Sequence, residues 1–173
     1  MNVPLITPEL VRLDADLGST KAEVITSVAG IIAAAGRADA DGLAHDALDR
    51  EAQSPTGMPG GFAIPHCRSA AVSQPSLGFA RLSPAVDFNG PDGPADLVFM
   101  IAAAEGAGAD HMKLLTKLAR ALVKPEFVEQ LRQAADAQTV VDLIESVVEP
   151  DAAAPSSATV SSASAAPAST VQS

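Results

Sequence analysis

Apolar residues recur along this chain in two rhythms, and the switching between them predicts the order of its elements. Leu10-Val11-Arg12-Leu13 is a short candidate strand. The stretch STKAEVITSVAGIIAAAGR then sets Val24, Ile25, Val28, Ile31 and Ile32 on one helical face. Thr20 with Glu23 three residues on forms a capping box at its start, and Gly36 stops it. A second helix runs from about Asp39 to Gln53. The loop SPTGMPGG that follows is dense in turn formers. Strands are predicted at about 61–64, 76–82 and 96–103. ADLVFMIAAA is a near-continuous apolar run, as expected of a central strand covered on both faces. The loop EGAGAD leads to a helix over 110–123. Pro125 opens another helix to about Ala134, and the last runs over 137–148 with Val140, Val141, Leu143, Ile144 and Val147 inward. Helices on both sides of a mixed sheet make an α/β domain.

A break in this pattern near Pro150 divides the chain into a body, 1–149, and a tail, 150–173. Of the 24 residues in the tail, 20 are Ala, Ser, Thr or Pro. So few bulky apolar side chains do not offset the entropy of ordering, and the segment is expected to be a flexible linker.

Composition narrows the function classes. Apolar residues make up 47% of the 173, enough for a proper core, but Trp and Tyr are absent and only five Phe are present. The core must therefore be built mostly from Ala, Val, Leu and Ile. A formal net charge of −10 argues against nucleic acid, which calls for clustered Lys and Arg, and suits a basic partner. A single cysteine, Cys67, allows no disulfide within the chain. No apolar stretch approaches the ~18 residues of a membrane span, and the N-terminus lacks the form of a signal peptide. A cytoplasmic location, with no direct membrane insertion, is the expectation.

Three histidines carry the candidate chemistry. His45, with Asp49 four residues on, reads as a surface helix residue. His66 follows Phe62-Ala63-Ile64 and Pro65, where the chain is expected to leave the sheet, and loops at strand ends often carry function. His111 opens a helix, whose free amides attract anions, with Asp110 as the candidate N-cap. Arg50 stands just before the SPTGMPGG loop, and a guanidinium fork matches phosphate oxygens. Arg68 reads as an ordinary surface arginine. Ser54 and Thr56 offer hydroxyls in the same loop. Lys113, Lys117, Arg120 and Lys124 form a solvated stripe opposite Leu114, Leu115, Leu118 and Leu122. No phosphate-binding loop or G-x-G-x-x-G is present, and no carboxylate cluster suggests a metal.

REAQSPTGMPGGFAIPHCRS (50–69) resembles the signature of the fructose/mannitol class of EIIA domains of the bacterial sugar phosphotransferase system. HMKLLTKLAR (111–120) resembles the helix that bears the family's second histidine. The resemblance covers about residues 5 to 148. The fold it implies is the mannitol-type three-layer sandwich, with a mixed central sheet of about five strands and helices on both faces. The activity it implies is that of a phosphocarrier. His66 would accept a phosphoryl group from the histidine of HPr and pass it to a cysteine on an EIIB domain, serving sugar uptake through EIIC. His111 and Arg50 match the other two active-site positions, with Thr56 and Ser54 as phosphate-binding hydroxyls and no cofactor required. Fructose is the default sugar for this motif style, and the tail would lead to an EIIB domain. An alternative is a nitrogen-related regulatory EIIA, which acts by binding partners according to its phosphorylation state. Cys67 stands where the family often has a smaller residue and would add an oxidisable thiol beside the site. Met58 and Phe62 are expected to form an apolar docking rim.

Overall fold

The computed structural model describes residues 4–106 and 108–148, except for the side chains of 108–110. The expected linker lies outside the described residues. The elements are β1 (Val11–Ala15), α1 (Lys21–Ala34), α2 (Ala40–Gln53), β2 (Gly57–Met58), β3 (Phe62–Ala63), β4 (His66–Ser69), β5 (Ser76–Val86), β6 (Ala95–Ala104), α3 (Gly108–Leu122), α4 (Pro125–Gln133) and α5 (Ala137–Val148). The strands form one six-stranded mixed sheet in the order β1-β5-β6-β3-β2, and β4 also pairs with β6. β6 is antiparallel to β5 and parallel to both β3 and β4.

The apolar run at 95–104 is indeed central. From Leu97 to Ala103 every residue of β6 is buried. Phe99 meets Phe79 of β5 and Phe62 of β3 edge-on, at ring-centroid distances of 5.1 and 6.2 Å. These large rings anchor a core otherwise built from aliphatic side chains.

Strand alternation separates the two helical layers. Gly78 of β5 faces α1, and a Cβ there would lie 2.8 Å from Val28 Cγ1, so glycine allows the helix to approach this closely. Three residues on, Arg81 points to the other side and donates to the carbonyls of Leu131, Arg132 and Ala134 at the end of α4, at 2.8–3.1 Å. α1 packs on β5 and on α2, which packs on β4; α3 packs on α4 and α5, and α5 reaches β1. The three-layer sandwich expected from the sequence is therefore present, with six strands instead of about five. No helix among the described residues is long and apolar enough to cross a membrane.

Local chemistry accounts for the element ends, with some differences from the sequence reading. Thr20 caps α1 by accepting from Glu23 N, but Glu23 reaches back to the Ser19 N–H at 2.7 Å, one residue before the capping-box position. Asp39 caps α2 through Gly42 N at 2.9 Å. α3 starts at Gly108, so Asp110 falls inside the helix instead of capping it; its side chain is outside the described residues.

The largest difference is at Pro65. This residue does not take the chain out of the sheet. β3 pairs with Leu97 and Val98, the Pro65 carbonyl accepts from Ile101 N at 3.0 Å, and β4 continues along the same strand from Ile101 to Ala104. Proline removes one donor, but its carbonyl keeps the ladder going. His66 therefore begins a strand.

Candidate active site

His66 and His111 both line a cleft of about 890 Å³. Three elements build the walls. α2 contributes Asp46, Asp49, Arg50 and Gln53, which share one face at helical spacing. β4 contributes His66 and Arg68, two residues apart and so on the same side of the strand. Glu105, just after β6, and His111, Met112 and Leu115 of α3 close the cleft.

The tautomer of His66 follows from one contact. Its Nδ1 lies 2.7 Å from the Ile64 carbonyl oxygen. A carbonyl can only accept, so Nδ1 carries the hydrogen and Nε2 keeps its lone pair. Burial holds the imidazole below its ordinary pKa; the Arg50 charge acts in the same direction, while the bond to Ile64 and the Glu51 charge oppose it. The neutral, nucleophilic form is thereby favoured near neutral pH.

His111 is 7% exposed, and its ring centroid lies 5.5 Å from that of His66 at an angle of 44°. Burial lowers its pKa first, followed by the charges of His66, Arg68 and Arg50. Its Nδ1 is buried with no hydrogen-bond partner among the described residues. Arg50 is held by one bond, Nη1 to the Ser54 carbonyl at 3.2 Å. The cleft thus gathers two imidazoles, both with lowered pKa, and two guanidinium groups, an arrangement suited to a nucleophile attacking an anion.

Not every expected residue reaches this cleft. The Thr56 hydroxyl is buried and donates to Glu51 Oε1 at 2.7 Å, while Thr56 N donates to Oε2 at 2.8 Å. Ser54 is exposed and offers its carbonyl to Arg50. Neither lines the cleft. Phe62, expected in a docking rim, is 5% exposed and packs against Phe99, because β3 turns it into the core. Met58 is exposed but does not line the cleft, whereas Met112, 59% exposed, does. Cys67 does line the cleft but is 4% exposed, and burial followed by the Asp46 charge pushes its thiol up to about 11, which favours the protonated thiol over the thiolate. His45 is exposed and pairs with Asp46 at 3.2 Å, a surface residue as the sequence suggests.

Arg68, read as an ordinary surface residue, lines the cleft and acts on His111. The usable signal was its spacing of two from His66, once β4 is recognised as a strand. Asp46, Asp49 and Gln53 of α2 were not singled out either; their spacing of three and four, on one face with Arg50, was the signal that could have found them. Glu51 carried no spacing signal beyond its place in the quoted signature: a glutamate in the last turn of a helix ordinarily faces solvent, yet this one is 3% exposed.

Comparison with known proteins places this geometry in context. The family model described as the phosphoenolpyruvate-dependent sugar phosphotransferase system, EIIA 2, matches residues 4–147. A PTS system fructose-specific EIIA component of Haloferax volcanii is 38% identical over 151 residues, which cover 86% of this chain and 97% of that protein. The PTS system fructose-specific EIIABC component of Bacillus subtilis is 37% identical over 142 residues, 81% of this chain but only 22% of that longer protein. Among solved structures, the nitrogen regulatory protein IIA-Ntr from Neisseria meningitidis superposes with a TM-score of 0.75 at 26% identity, covering 81% of this chain and 96% of its own. IIA mannitol from Escherichia coli gives a TM-score of 0.68 at 26% identity, covering 80% and 97%.

Proposed function

Because this chain belongs to the EIIA 2 family of the phosphoenolpyruvate-dependent sugar phosphotransferase system, we propose that His66 carries the phosphoryl group in transit. The reading is carried by one observation: the Ile64 carbonyl takes the Nδ1 hydrogen, which leaves Nε2 as the free nucleophile beside Arg50 and His111.

The step is a displacement between two imidazoles. Nε2 of His66 uses its lone pair to bond phosphorus while the P–N bond of phosphorylated HPr breaks, and the donor ring keeps the released pair. No proton need move, since Nδ1–H of His66 stays on the Ile64 carbonyl. Transfer through a loose transition state depends on positioning and charge neutralisation. Arg50 and Arg68 supply positive charge, and His111 offers a ring N–H to the phosphoryl oxygens. The P–N bond is labile, so the group is then passed to a cysteine thiolate of an EIIB domain. Acidic Asp46, Asp49 and Glu105 around the cleft, with exposed Met112, suit a basic donor with an apolar contact patch.

Fructose is the sugar of the system we favour, on the names of the two relatives above. The EIIABC relative also supports EIIB and EIIC as partners, and reading residues 150–173 as a linker toward an EIIB domain. A second reading, a regulatory protein of the nitrogen-related branch, is favoured by the superposition on IIA-Ntr.

The test is incubation with phosphoenolpyruvate, enzyme I and HPr. Acid-labile label on the wild-type chain, lost in His66→Ala, is the expected result; undiminished label in that variant removes the assignment. Adding the EIIB domain separates the two readings. Onward transfer to its cysteine and then to fructose supports transport, and a phosphorylated chain that no EIIB discharges supports regulation.

A further inference from the structure

Glu51 is a buried carboxylate that the transfer step does not use. It follows Arg50 directly and sits at the end of α2, where its two oxygens take both donors of Thr56, N at 2.8 Å and Oγ1 at 2.7 Å. Lys21 Nζ lies 3.4 Å from Oε2 and donates also to Asn89 Oδ1 at 2.5 Å. The bonds continue toward the site. The Thr56 carbonyl accepts from Ile64 N at 3.2 Å, and the Ile64 carbonyl accepts from His66 Nδ1 at 2.7 Å. The loop has little freedom elsewhere: a Cβ on Gly57 would collide with the Phe88 carbonyl and lie 2.6 Å from Gly90 N.

We propose that Glu51 is a positioning residue for His66: through Thr56 and Ile64 it fixes the carbonyl that decides which ring nitrogen is free to attack. The proposal rests on the phosphocarrier reading above. The neighbours Arg50 and Glu51 then divide the work at the end of α2, one reaching into the cleft and the other holding the hairpin that leads into the nucleophile's strand.

Packing alone does not call for an ionised group here, because burying a carboxylate is costly unless it is well paired. A reason for the charge lies in the product. When phosphorus joins Nε2 while Nδ1 keeps its hydrogen, the ring becomes cationic. The Glu51 charge, after the Ile64 bond, opposes the lowering of the His66 pKa by burial and Arg50, and so favours a positive ring. The other groups around His66 are Asp46, Asp49 and Arg50 from α2, Arg68 on β4, Glu105 after β6 and His111 on α3.

Glu51→Gln tests this in the full chain, because it keeps the shape and removes the charge. Ring 15N shifts read the tautomer of His66 directly. Wild type is expected as the Nδ1–H form; the variant is expected to show a substantial Nε2–H population, a lower His66 titration midpoint and phosphoryl uptake from phosphorylated HPr slower by about tenfold or more. A folded variant with the wild-type tautomer and midpoint overturns the proposal. If Glu51→Gln does not fold, Thr56→Val carries the test, since it keeps the charge and removes one of the two donors. A detectable Nε2–H population is expected there, and unchanged ring shifts overturn the proposal. A wild-type chain that takes up no phosphoryl group defeats the phosphocarrier reading instead, and it leaves the ring-nitrogen result to be judged separately.

Discussion

Two pairs of arginines show how differently one small protein treats the same side chain. Arg81 and Arg132 lie where α4 meets the sheet, and each is held by an ion pair and backbone carbonyls. Arg81 grips Asp14 through Nε at 2.8 Å and donates to three carbonyls at the end of α4. Arg132 holds Asp96 with two bonds of 2.8 and 2.9 Å and the Gly60 carbonyl with another of 2.7 Å. Arg50 and Arg68, at the cleft, have no carboxylate within bonding reach among the described residues. Arg50 has one carbonyl, and Arg68 makes no hydrogen bond there. Where an arginine is structural its donors are consumed at home. Where positive charge is left over beside two imidazoles, it fits the anion that the proposed function brings there.

That contrast can be broken by substitution. Arg50→Gln carries the largest expected effect: phosphoryl uptake slower by about a hundredfold, with stability unchanged within about 0.5 kcal/mol. Rapid-quench transfer and urea denaturation measure the two halves. Next comes Arg81→Met, expected to do the reverse. The three α4 carbonyls lose their donor, which costs about 2 kcal/mol or more, while transfer to His66 is expected to stay at the wild-type rate. Equal effects of both substitutions on rate would erase the distinction between the pairs.

Arg68→Gln is expected to slow uptake by about tenfold, less than Arg50→Gln because its side chain is exposed. It has a second readout. The Arg68 charge lowers the His111 pKa, so the variant should titrate His111 at higher pH, seen by NMR; an unmoved midpoint removes Arg68 from the site.

The smallest effect concerns pH. Both cleft histidines have folded-state pKa values below their ordinary value, so the unfolded chain binds protons first as pH falls. Stability is therefore complete above the unfolded value of about 6.5 and declines as pH drops through the window between it and the depressed folded values. Urea midpoints at pH 7.5 and 5.5 should differ in wild type, and the difference should shrink in a chain carrying both His66→Asn and His111→Asn. Asp14, Glu23, Asp46 and Asp136 are also lowered, but they titrate at more acid pH and leave this window clear.

Legibility in the sequence followed the physics of each signal. α1, α2 and β6 were readable because periodicity and capping act within one element. β4 was not, since Pro65 ordinarily ends a strand and here only the Ile101 amide, far along the chain, carries the ladder across. The two histidines were found from their motifs, but their 5.5 Å approach depends on the fold bringing the first turns of α3 beside the start of β4. Thr56 looked like a hydroxyl offered to phosphate. It is turned the other way because Glu51, invisible as a helix-surface residue, is buried and needs donors. Arg68 was missed for the matching reason: with no strand assigned, its alternation with His66 had no meaning.

The central claim is that Nε2 of His66 is the phosphoryl acceptor because the Ile64 carbonyl occupies Nδ1. The direct measurement is 31P and 15N NMR of the chain labelled in its histidine rings after phosphorylation by enzyme I and HPr. The account predicts phosphorus coupled to Nε2 of His66, with Nδ1 still protonated. Phosphorus on Nδ1 of His66, or on His111 in its place, would contradict it.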